Sequence, residues 1–226
     1  MFLATGTVAE RVAALRERVD EAAVASGRER GSVAILAVTK AQPREAVLAA
    51  LDAGLTDVGE NYLQEARAKY AGLPAATKHF VGHVQTNKAK AIANLFDVVQ
   101  SVDRLEAGLA LAKAARDAGR DLRVLLQVNV SPTERFGAEP AEAPALAARL
   151  RDEGLAVDGV MAIGPLEGDV DAAFETARET FERVGGSTLS LGMTDDWERA
   201  VRHGSTMVRL GTAIFGARPA KERSLA

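Results

Sequence analysis

The sequence lacks cysteine, carries little net charge and contains no long apolar run. Without cysteine the chain can form no disulfide, zinc thiolate site or thiol nucleophile, and it suits a reducing compartment. A formal net charge of −3 provides no domain-wide basic field for nucleic acid. No segment reaches the roughly 18 uninterrupted apolar residues of a membrane span, and the start does not resemble a signal peptide. We therefore expect a cytoplasmic protein that binds neither nucleic acid nor membrane.

Aromatic residues are also scarce, at 4%, although 47% of the 226 residues are hydrophobic. The core must therefore consist mostly of alanine, valine, leucine and isoleucine. This length suits one α/β domain of barrel size or two small domains. An N-terminal helix is predicted over about 7–26, because Thr7 and Glu10 form a capping box and Gly27 provides a stop.

Short β-branched runs alternate with helical stretches along the rest of the chain. The alternation predicts a parallel sheet, and eight strands predict its closure into a TIM barrel. We expect a single (β/α)8 barrel over about 33–218 within a single domain of 1–226, with a doubly wound open sheet as the alternative. The strand candidates are 33–38, 56–58, 79–81, 97–100, 123–130, 156–161, 187–190 and 206–209.

Helix signals lie between several of these runs. Asp103 with Glu106 predicts one N-cap, and Thr194 predicts another for a helix that ends at Gly204. One apolar stripe at helical spacing consists of Phe174, Ala177, Phe181 and Val184.

The functional face of such a barrel is the one where strands end and helices begin. Residues suited to ligand contact follow or end the strand candidates on this side, which is a stronger argument than any single motif. They are Lys40, Asn61, Gly82, Asn129, Gly164, Ser190 and Gly211.

Lys40 stands two residues past the apolar run of 33–38. A free lysine amine has a pKa of about 10.4, and apolar surroundings lower that value and free the lone pair to attack a carbonyl. The alternative is a solvated lysine at the start of a helix, where a cation is mildly unfavourable.

The turn after the last strand candidate is suited to phosphate. Its backbone N–H groups, at Gly211 and Thr212, can cradle an anion. Barrels often bind phosphate with the loops after strands seven and eight, and Ser190 falls in the first of these loops. Arg209 could pair with phosphate, face a pyridine nitrogen or form a structural salt bridge. An amine together with a phosphate cradle favours a phosphorylated aldehyde held as an imine on Lys40.

His79 and His83 have the spacing of half a helical metal site, but no metal is expected. A strand does not place residues i and i+4 side by side, and no acidic ligands converge nearby. We predict that His79 is a hydrogen-bonded histidine of the core or pocket. Glu60 is predicted to serve in turn and cap chemistry at the start of the following helix.

These residues resemble those of the pyridoxal 5′-phosphate homeostasis proteins, single-domain relatives of the barrel domain of alanine racemase. The similarity extends from about 33 to 218, and its last motif is long and specific. The motifs are Ala37-Val38-Thr39-Lys40, Gly59-Glu60-Asn61-Tyr62, His79-Phe80-Val81-Gly82, Gln127-Val128-Asn129, Gly159-Val160-Met161-Ala162-Ile163, Leu189-Ser190-Leu191-Gly192-Met193 and Gly204-Ser205-Thr206-Met207-Val208-Arg209-Leu210-Gly211-Thr212-Ala213-Ile214-Phe215-Gly216.

The resemblance implies a protein that binds pyridoxal phosphate (PLP) as a Schiff base. It also implies a role in intracellular PLP homeostasis and in amino-acid and keto-acid balance, without robust catalysis. The implied cofactor contacts are the imine on Lys40, the phosphate on Ser190, Gly211 and Thr212, the pyridine nitrogen facing Arg209, and the ring pocket lined by Asn61.

Some positions depart from the family pattern. His83 and Arg135 stand where proline and lysine are common, and Leu191 and Thr194 replace the usual methionine and serine. None of them belongs to the implied imine or phosphate contacts. The change at Arg135 puts in doubt a second lysine that would accept the cofactor in the loop of 134–137.

Two other functions compete with this interpretation. A PLP-dependent racemase needs a second proton-transfer residue, which alanine racemases supply as a tyrosine from an additional domain. Tyr62 and Tyr70 are the tyrosines of this chain, and the sequence has no room for that domain, so we expect weak racemization at most and a monomer. A Schiff-base aldolase without cofactor would also use Lys40, but it needs an acid/base pair that the sequence does not reveal.

Overall fold

A computed structural model describes residues 6–132 and 136–216, and each strand candidate forms a strand close to its predicted limits. Short β-branched runs bounded by turns suit strands that are covered on both faces. The strands are β1 Ala34–Val38, β2 Asp57–Glu60, β3 Thr77–Phe80, β4 Val98–Val102, β5 Arg123–Val128, β6 Ala156–Ala162, β7 Thr188–Ser190 and β8 Met207–Leu210.

The strands form a closed parallel barrel in sequence order. The last strand returns to pair with the first, so that Leu210 lies opposite Ala37. This closure confirms the predicted (β/α)8 barrel and shows that the alternative of a doubly wound open sheet is wrong. The ends of the predicted domain, 1–226, and of the predicted barrel, at 218, lie outside the described residues, so those limits stay predictions.

Helices follow the strands and cover the outside of the barrel, and an additional helix precedes β1. That helix, α1, carries the predicted capping box: the Glu10 amide donates to Thr7 Oγ1, and the Thr7 amide donates to the Glu10 carboxylate. Among the described residues, none of the helices is long and apolar enough to cross a bilayer. The helices are α1 Val8–Ala25, α2 Arg44–Asp52, α3 Leu63–Tyr70, α4 Ala89–Leu95 after a 3-10 turn at Thr86–Lys88, α5 Leu105–Asp117, α6 Ala143–Asp152, α7 Val170–Val184, α8 Trp197–Arg202 and α9 Thr212–Phe215.

The predicted N-cap at Asp103 is wrong. Helix α5 begins at Leu105, and its N-cap is Arg104, which makes no side-chain capping bond. The Asp103 carboxylate accepts a hydrogen bond from the Arg104 guanidinium at 2.7 Å. A neighbouring cation therefore takes the carboxylate that the local pattern assigned to the helix.

The predicted N-cap at Thr194 is also wrong, because α8 begins at Trp197 and its N-cap is Asp196. The Asp196 carboxylate accepts a hydrogen bond from the Met193 amide at 2.6 Å and closes a turn before the helix. The predicted apolar stripe on α7 is confirmed, since three of its members are buried and the fourth packs against the core. They are Phe174, Ala177, Val184 and Phe181.

Two apolar layers differ in size. The larger lies between the strands and the surrounding helices, and a small cluster of Val98, Leu125 and Met161 lies apart from it. Buried polar residues share the barrel interior with this small cluster. Gln100 of β4 contacts Ser190 of β7 at 2.8 Å, and since these strands are not neighbours the bond crosses the interior.

A carboxylate cluster joins α7 to α8 at the surface. Hydrogen bonds from Arg199 and then His203 lower the pKa of Asp171 to about 2. Hydrogen bonds from Arg178 and then His203 lower the pKa of Glu175 to about 2. A carboxylate whose pKa is lower in the folded state than in the unfolded state stabilises the fold when the pH is above its unfolded-state pKa. This contribution disappears as the pH falls through its folded-state pKa.

Acid unfolding tests this cluster. We expect the melting temperature of the wild type to fall between pH 4.5 and 2 more steeply than that of an Asp171→Asn/Glu175→Gln variant, because only the wild type must protonate these two groups. The measurement is thermal unfolding followed by circular dichroism across that range. Equal slopes for the two proteins would show that the cluster does not contribute to acid sensitivity.

Candidate functional site

Barrel closure places Lys40 beside the turn that follows β8. Because β1 and β8 are neighbours, the residues just beyond their carboxyl ends meet at one edge of the barrel mouth. A small pocket at this edge contains the predicted amine and the predicted phosphate cradle together. It is lined by Val38, Lys40, Gln42, Gly211, Thr212 and Gly216.

The geometry at Gly211 suits close approach of an anion. Gly211 is the N-cap of α9, and the first N–H groups of a helix have no partner within the helix. A Cβ at this position would lie 3.2 Å from the Val38 carbonyl oxygen, so a side chain would crowd the junction between β1 and β8. Thr212 is exposed and adds a hydroxyl beside these amides.

Side chains of α3 fix the main chain on both sides of Lys40. Lys69 donates to the Thr39 carbonyl oxygen at 2.7 Å, and the Ala41 amide donates to Glu65 at 2.8 Å. Ala41 has a φ of 59°, in the left-handed region that a non-glycine residue seldom adopts. We call Glu65 and Lys69 the α3 anchor, because they hold the peptide units flanking Lys40.

The anchor belongs to a buried polar cluster that the sequence analysis missed. Lys69 forms an ion pair with Glu60, whose side chain is fully buried, and the Glu60 carboxylate also accepts from Thr39 at 3.1 Å. The Tyr70 hydroxyl lies 3.0 Å from Thr39 Oγ1, and burial raises the pKa of Tyr70 well above its usual value. The signal available in the sequence was a charged residue at a strand end, Glu60, followed by a lysine and a tyrosine at the end of the next helix.

Glu60 also performs the predicted turn chemistry. Its second oxygen accepts from the Asn61 amide at 3.0 Å and from the Tyr62 amide at 3.3 Å, just before α3 begins. The predicted turn chemistry is therefore confirmed, but the predicted cap is not, because the N-cap of α3 is Tyr62 and no side chain caps the helix. The ion pair with Lys69 is an addition to the turn.

Asn61 lies at the carboxyl end of β2 and has an unsatisfied group. Its side-chain oxygen Oδ1 is buried and has no hydrogen-bond partner. A Cβ at Gly82 would lie only 2.0 Å from the Asn61 carbonyl oxygen, so Gly82 allows two loops of the barrel mouth to pack closely here. Buried polar atoms without partners are rare, and one at the mouth of a barrel is a point where a ligand can bind.

Arg209 lies in the barrel interior and is 5% exposed. Its NH1 donates to the Ser190 carbonyl oxygen at 2.7 Å and to Ser190 Oγ at 2.9 Å, and its NH2 donates to the Ala162 carbonyl oxygen at 2.8 Å. Burial lowers the pKa of Arg209 to about 10, so the guanidinium stays charged at neutral pH. Within the described residues it forms no ion pair, and these three bonds leave N–H donors for a ligand.

Ser190 lies deeper than the pocket that contains Lys40. Its hydroxyl is fully buried between Gln100 and Arg209, and Ser190 is opposite Met207 in the sheet rather than opposite Gly211. The structure therefore does not bring it to the turn of Gly211. Its phosphate contact stays a prediction, and its observed bonds favour a role in holding Arg209.

His79 is a hydrogen-bonded core histidine, as predicted. Its ring contacts Asp57 at 2.9 Å and Gln100 at 2.9 Å, and it is 2% exposed. Glu134 and Arg135, in the loop where the sequence departs from the family pattern, lie outside the described residues.

Comparisons with known proteins show the family of this chain. The family model of the alanine racemase N-terminal domain matches residues 9–219. A curated protein of Pseudomonas aeruginosa, named pyridoxal phosphate homeostasis protein, is 44% identical over 222 residues, which cover 94% of this chain and 96% of that protein.

Solved structures give the same result. The structure of PipY from Synechococcus elongatus with PLP bound is 33% identical, with a TM-score of 0.80, and the match covers 93% of this chain and 100% of that one. Alanine racemase of Corynebacterium glutamicum is 15% identical, with a TM-score of 0.70, and the match covers 95% of this chain and 62% of that one. At that identity the racemase likeness shows a shared fold only.

Proposed function

The chain belongs to the pyridoxal phosphate homeostasis family of alanine racemase N-terminal-domain proteins, and we propose that it holds PLP as a Schiff base on Lys40. The amine of Lys40 condenses with the aldehyde carbon of the cofactor, and a water molecule leaves. The protein then acts in intracellular PLP homeostasis and amino-acid and keto-acid balance.

One observation carries the proposal: Lys40 lines the same pocket as Gly211 and Thr212. An amine for the aldehyde and a turn for the phosphate are the two anchors that PLP requires. The partnerless oxygen of Asn61 and the remaining donors of Arg209 are further places where the ring can be bound.

The residues then have distinct roles. Gly211 and Thr212 bind the phosphate, Asn61 lines the ring pocket, and Arg209 faces the pyridine nitrogen. A guanidinium beside that nitrogen leaves it unprotonated, because arginine can donate a hydrogen bond but not accept one. The bound cofactor supplies an electron sink, and this neighbour weakens it. Ser190 accepts hydrogen bonds from Arg209 and so holds its guanidinium. Its predicted second role is a hydrogen bond to the phosphate.

We also propose that the protein lacks robust catalysis. A racemase needs a second proton-transfer group opposite the lysine. Tyr70 is engaged with Thr39 in a buried cluster, and burial raises its pKa, so it remains protonated at neutral pH. Tyr62 is 60% exposed on the surface rather than enclosed in a pocket. Weak PLP-dependent racemization is the alternative. Turnover of several amino acids at ordinary enzyme rates would contradict the proposal that robust catalysis is absent. A monomer in the cytoplasm remains our expectation.

Substitution at Thr212 tests the phosphate role. We expect Thr212→Val to weaken PLP binding by about 10- to 100-fold, because a hydrogen bond to a charged group contributes about 1.5–3 kcal/mol. The measurement is equilibrium titration with PLP and with pyridoxal, which has the aldehyde but no phosphate.

The two ligands and a second variant provide the controls. Pyridoxal should bind both wild type and Thr212→Val with the same weak affinity, and Thr86→Val, at another exposed helix start, should bind PLP like the wild type. An equal loss of pyridoxal binding would mean that the substitution disturbs the pocket. Unchanged PLP binding would contradict the phosphate role of Thr212.

A further inference from the structure

A continuous hydrogen-bonded chain of side chains crosses the barrel interior from the ring site to the opposite end. The Arg209 guanidinium lies 2.9 Å from Ser190 Oγ, and Ser190 Oγ lies 2.8 Å from Gln100 Oε1. Gln100 Nε2 lies 2.9 Å from His79 Nδ1, and His79 Nε2 lies 2.9 Å from Asp57 Oδ1. We call this chain the interior relay; its members in order are Arg209, Ser190, Gln100, His79 and Asp57.

The chemistry of the members gives every bond the same direction. Arginine only donates, so Ser190 Oγ accepts from it and gives its own hydrogen to the Gln100 oxygen. The Gln100 amide therefore presents N–H to His79 Nδ1, which must accept. His79 is then the tautomer with hydrogen on Nε2, which it donates to Asp57.

Asp57 at the end of the relay and Gln100 at its middle keep this direction fixed. Burial raises the pKa of Asp57, but hydrogen bonds from His79 and Thr56 outweigh burial and hold that pKa below its usual value. Asp57 is therefore an ionised acceptor at neutral pH. Gln100 cannot turn its amide over without cost, because its nitrogen also contacts Met207 Sδ at 3.2 Å.

We propose that His79 and Gln100 are positioning residues for Arg209. By fixing the direction of the Ser190 hydroxyl, they keep a lone pair of Ser190 Oγ aimed at the guanidinium and so set its orientation toward the cofactor ring. The proposal rests on the proposed function, because the pyridine contact of Arg209 is part of it. Neither His79 nor Gln100 lines the pocket of Lys40, so they act through Ser190 and Arg209.

The far end of the relay can be altered without touching the cofactor pocket. Asp57 lines a cavity of about 370 Å³ at the amino-terminal end of the barrel, away from Lys40. Asp57→Asn keeps an oxygen that accepts from His79, whereas Asp57→Leu removes the acceptor. The two variants therefore form a matched pair. The relay keeps its last acceptor in Asp57→Asn and loses it in Asp57→Leu.

The first test is the tautomer of His79 in cofactor-free protein, measured by ¹⁵N NMR of the imidazole ring. We expect hydrogen on Nε2 in the wild type and in Asp57→Asn, and loss of this single tautomer in Asp57→Leu. Hydrogen on Nδ1 in the wild type would overturn the proposed direction. This readout requires no PLP, so it is independent of the proposed function.

The second test is PLP affinity and the visible spectrum of the bound cofactor. We expect Gln100→Leu and Asp57→Leu to bind PLP about tenfold more weakly, which corresponds to the loss of one hydrogen bond. The visible band of the cofactor should shift in both variants. Asp57→Asn should match the wild type in affinity and spectrum. Wild-type affinity and spectrum in Gln100→Leu and Asp57→Leu would overturn the positioning role. A wild type that binds no PLP would instead mean that the proposed function has failed.

Discussion

Replacing Lys40 with alanine is expected to abolish the visible imine absorbance that the wild-type protein develops with PLP. The band requires a covalent bond to an amine, and Lys40 is the lysine that lines the pocket containing Gly211 and Thr212. The loss should be complete rather than partial, because hydrogen bonds to the phosphate cannot form an imine. Residual PLP binding through the phosphate turn is compatible with this result.

The fold of the Lys40→Ala variant should be preserved, since Lys40 is only half-buried at the barrel mouth. Circular dichroism and thermal unfolding check this point. Lys88→Ala is the matched control, because Lys88 is exposed after β3 on the same face of the barrel, and its imine band should equal that of the wild type. A full band in Lys40→Ala would assign the imine to another lysine.

Replacing Lys69 with methionine is expected to destabilise the protein by about 3–5 kcal/mol. The substitution leaves the Glu60 carboxylate charged and without its cation at a site where its side chain is fully buried. It also removes the hydrogen bond from Lys69 to the Thr39 carbonyl oxygen, which holds the peptide unit before Lys40. Urea unfolding at neutral pH measures the change in the free energy of unfolding.

Two further variants separate this effect from loss of an ordinary surface charge. Lys113→Met removes a cation paired with Asp117, with both side chains more than half exposed, and should change stability by less than about 1 kcal/mol. The double variant Glu60→Gln/Lys69→Met should regain most of the loss, because no uncompensated charge remains. A Lys69→Met protein as stable as the Lys113→Met protein would contradict a structural role for the buried pair.

The barrel and the position of Lys40 could be predicted because both depend on local pattern and chain order. Short β-branched runs separated by helices imply parallel strands, and eight of them imply closure, which makes the first and last strands neighbours. Gly211 and Thr212 follow the last strand, so closure alone brings them to Lys40.

Interactions between distant elements could not be predicted in this way. Tyr70 is the last residue of α3, yet its hydroxyl reaches Thr39, next to Lys40. The interior relay depends on the register of five strands and on which of their side chains point into the barrel, and no local pattern fixes either. Its signal in the sequence was the presence of polar residues within several predicted strands, including His79, Gln100, Ser190 and Arg209. The wrong N-cap at Asp103 has a different, local origin, because the adjacent Arg104 takes its carboxylate.

The most direct test of the central claim is to locate the bound cofactor chemically. Wild-type protein is incubated with PLP, reduced with borohydride to make the imine linkage permanent, digested and mapped by mass spectrometry. The account predicts a single modified residue, Lys40, among the seven lysines of the chain. Modification at another lysine, or none even with excess PLP, would contradict it and leave Lys40 as a structural residue or the partner of a different carbonyl ligand.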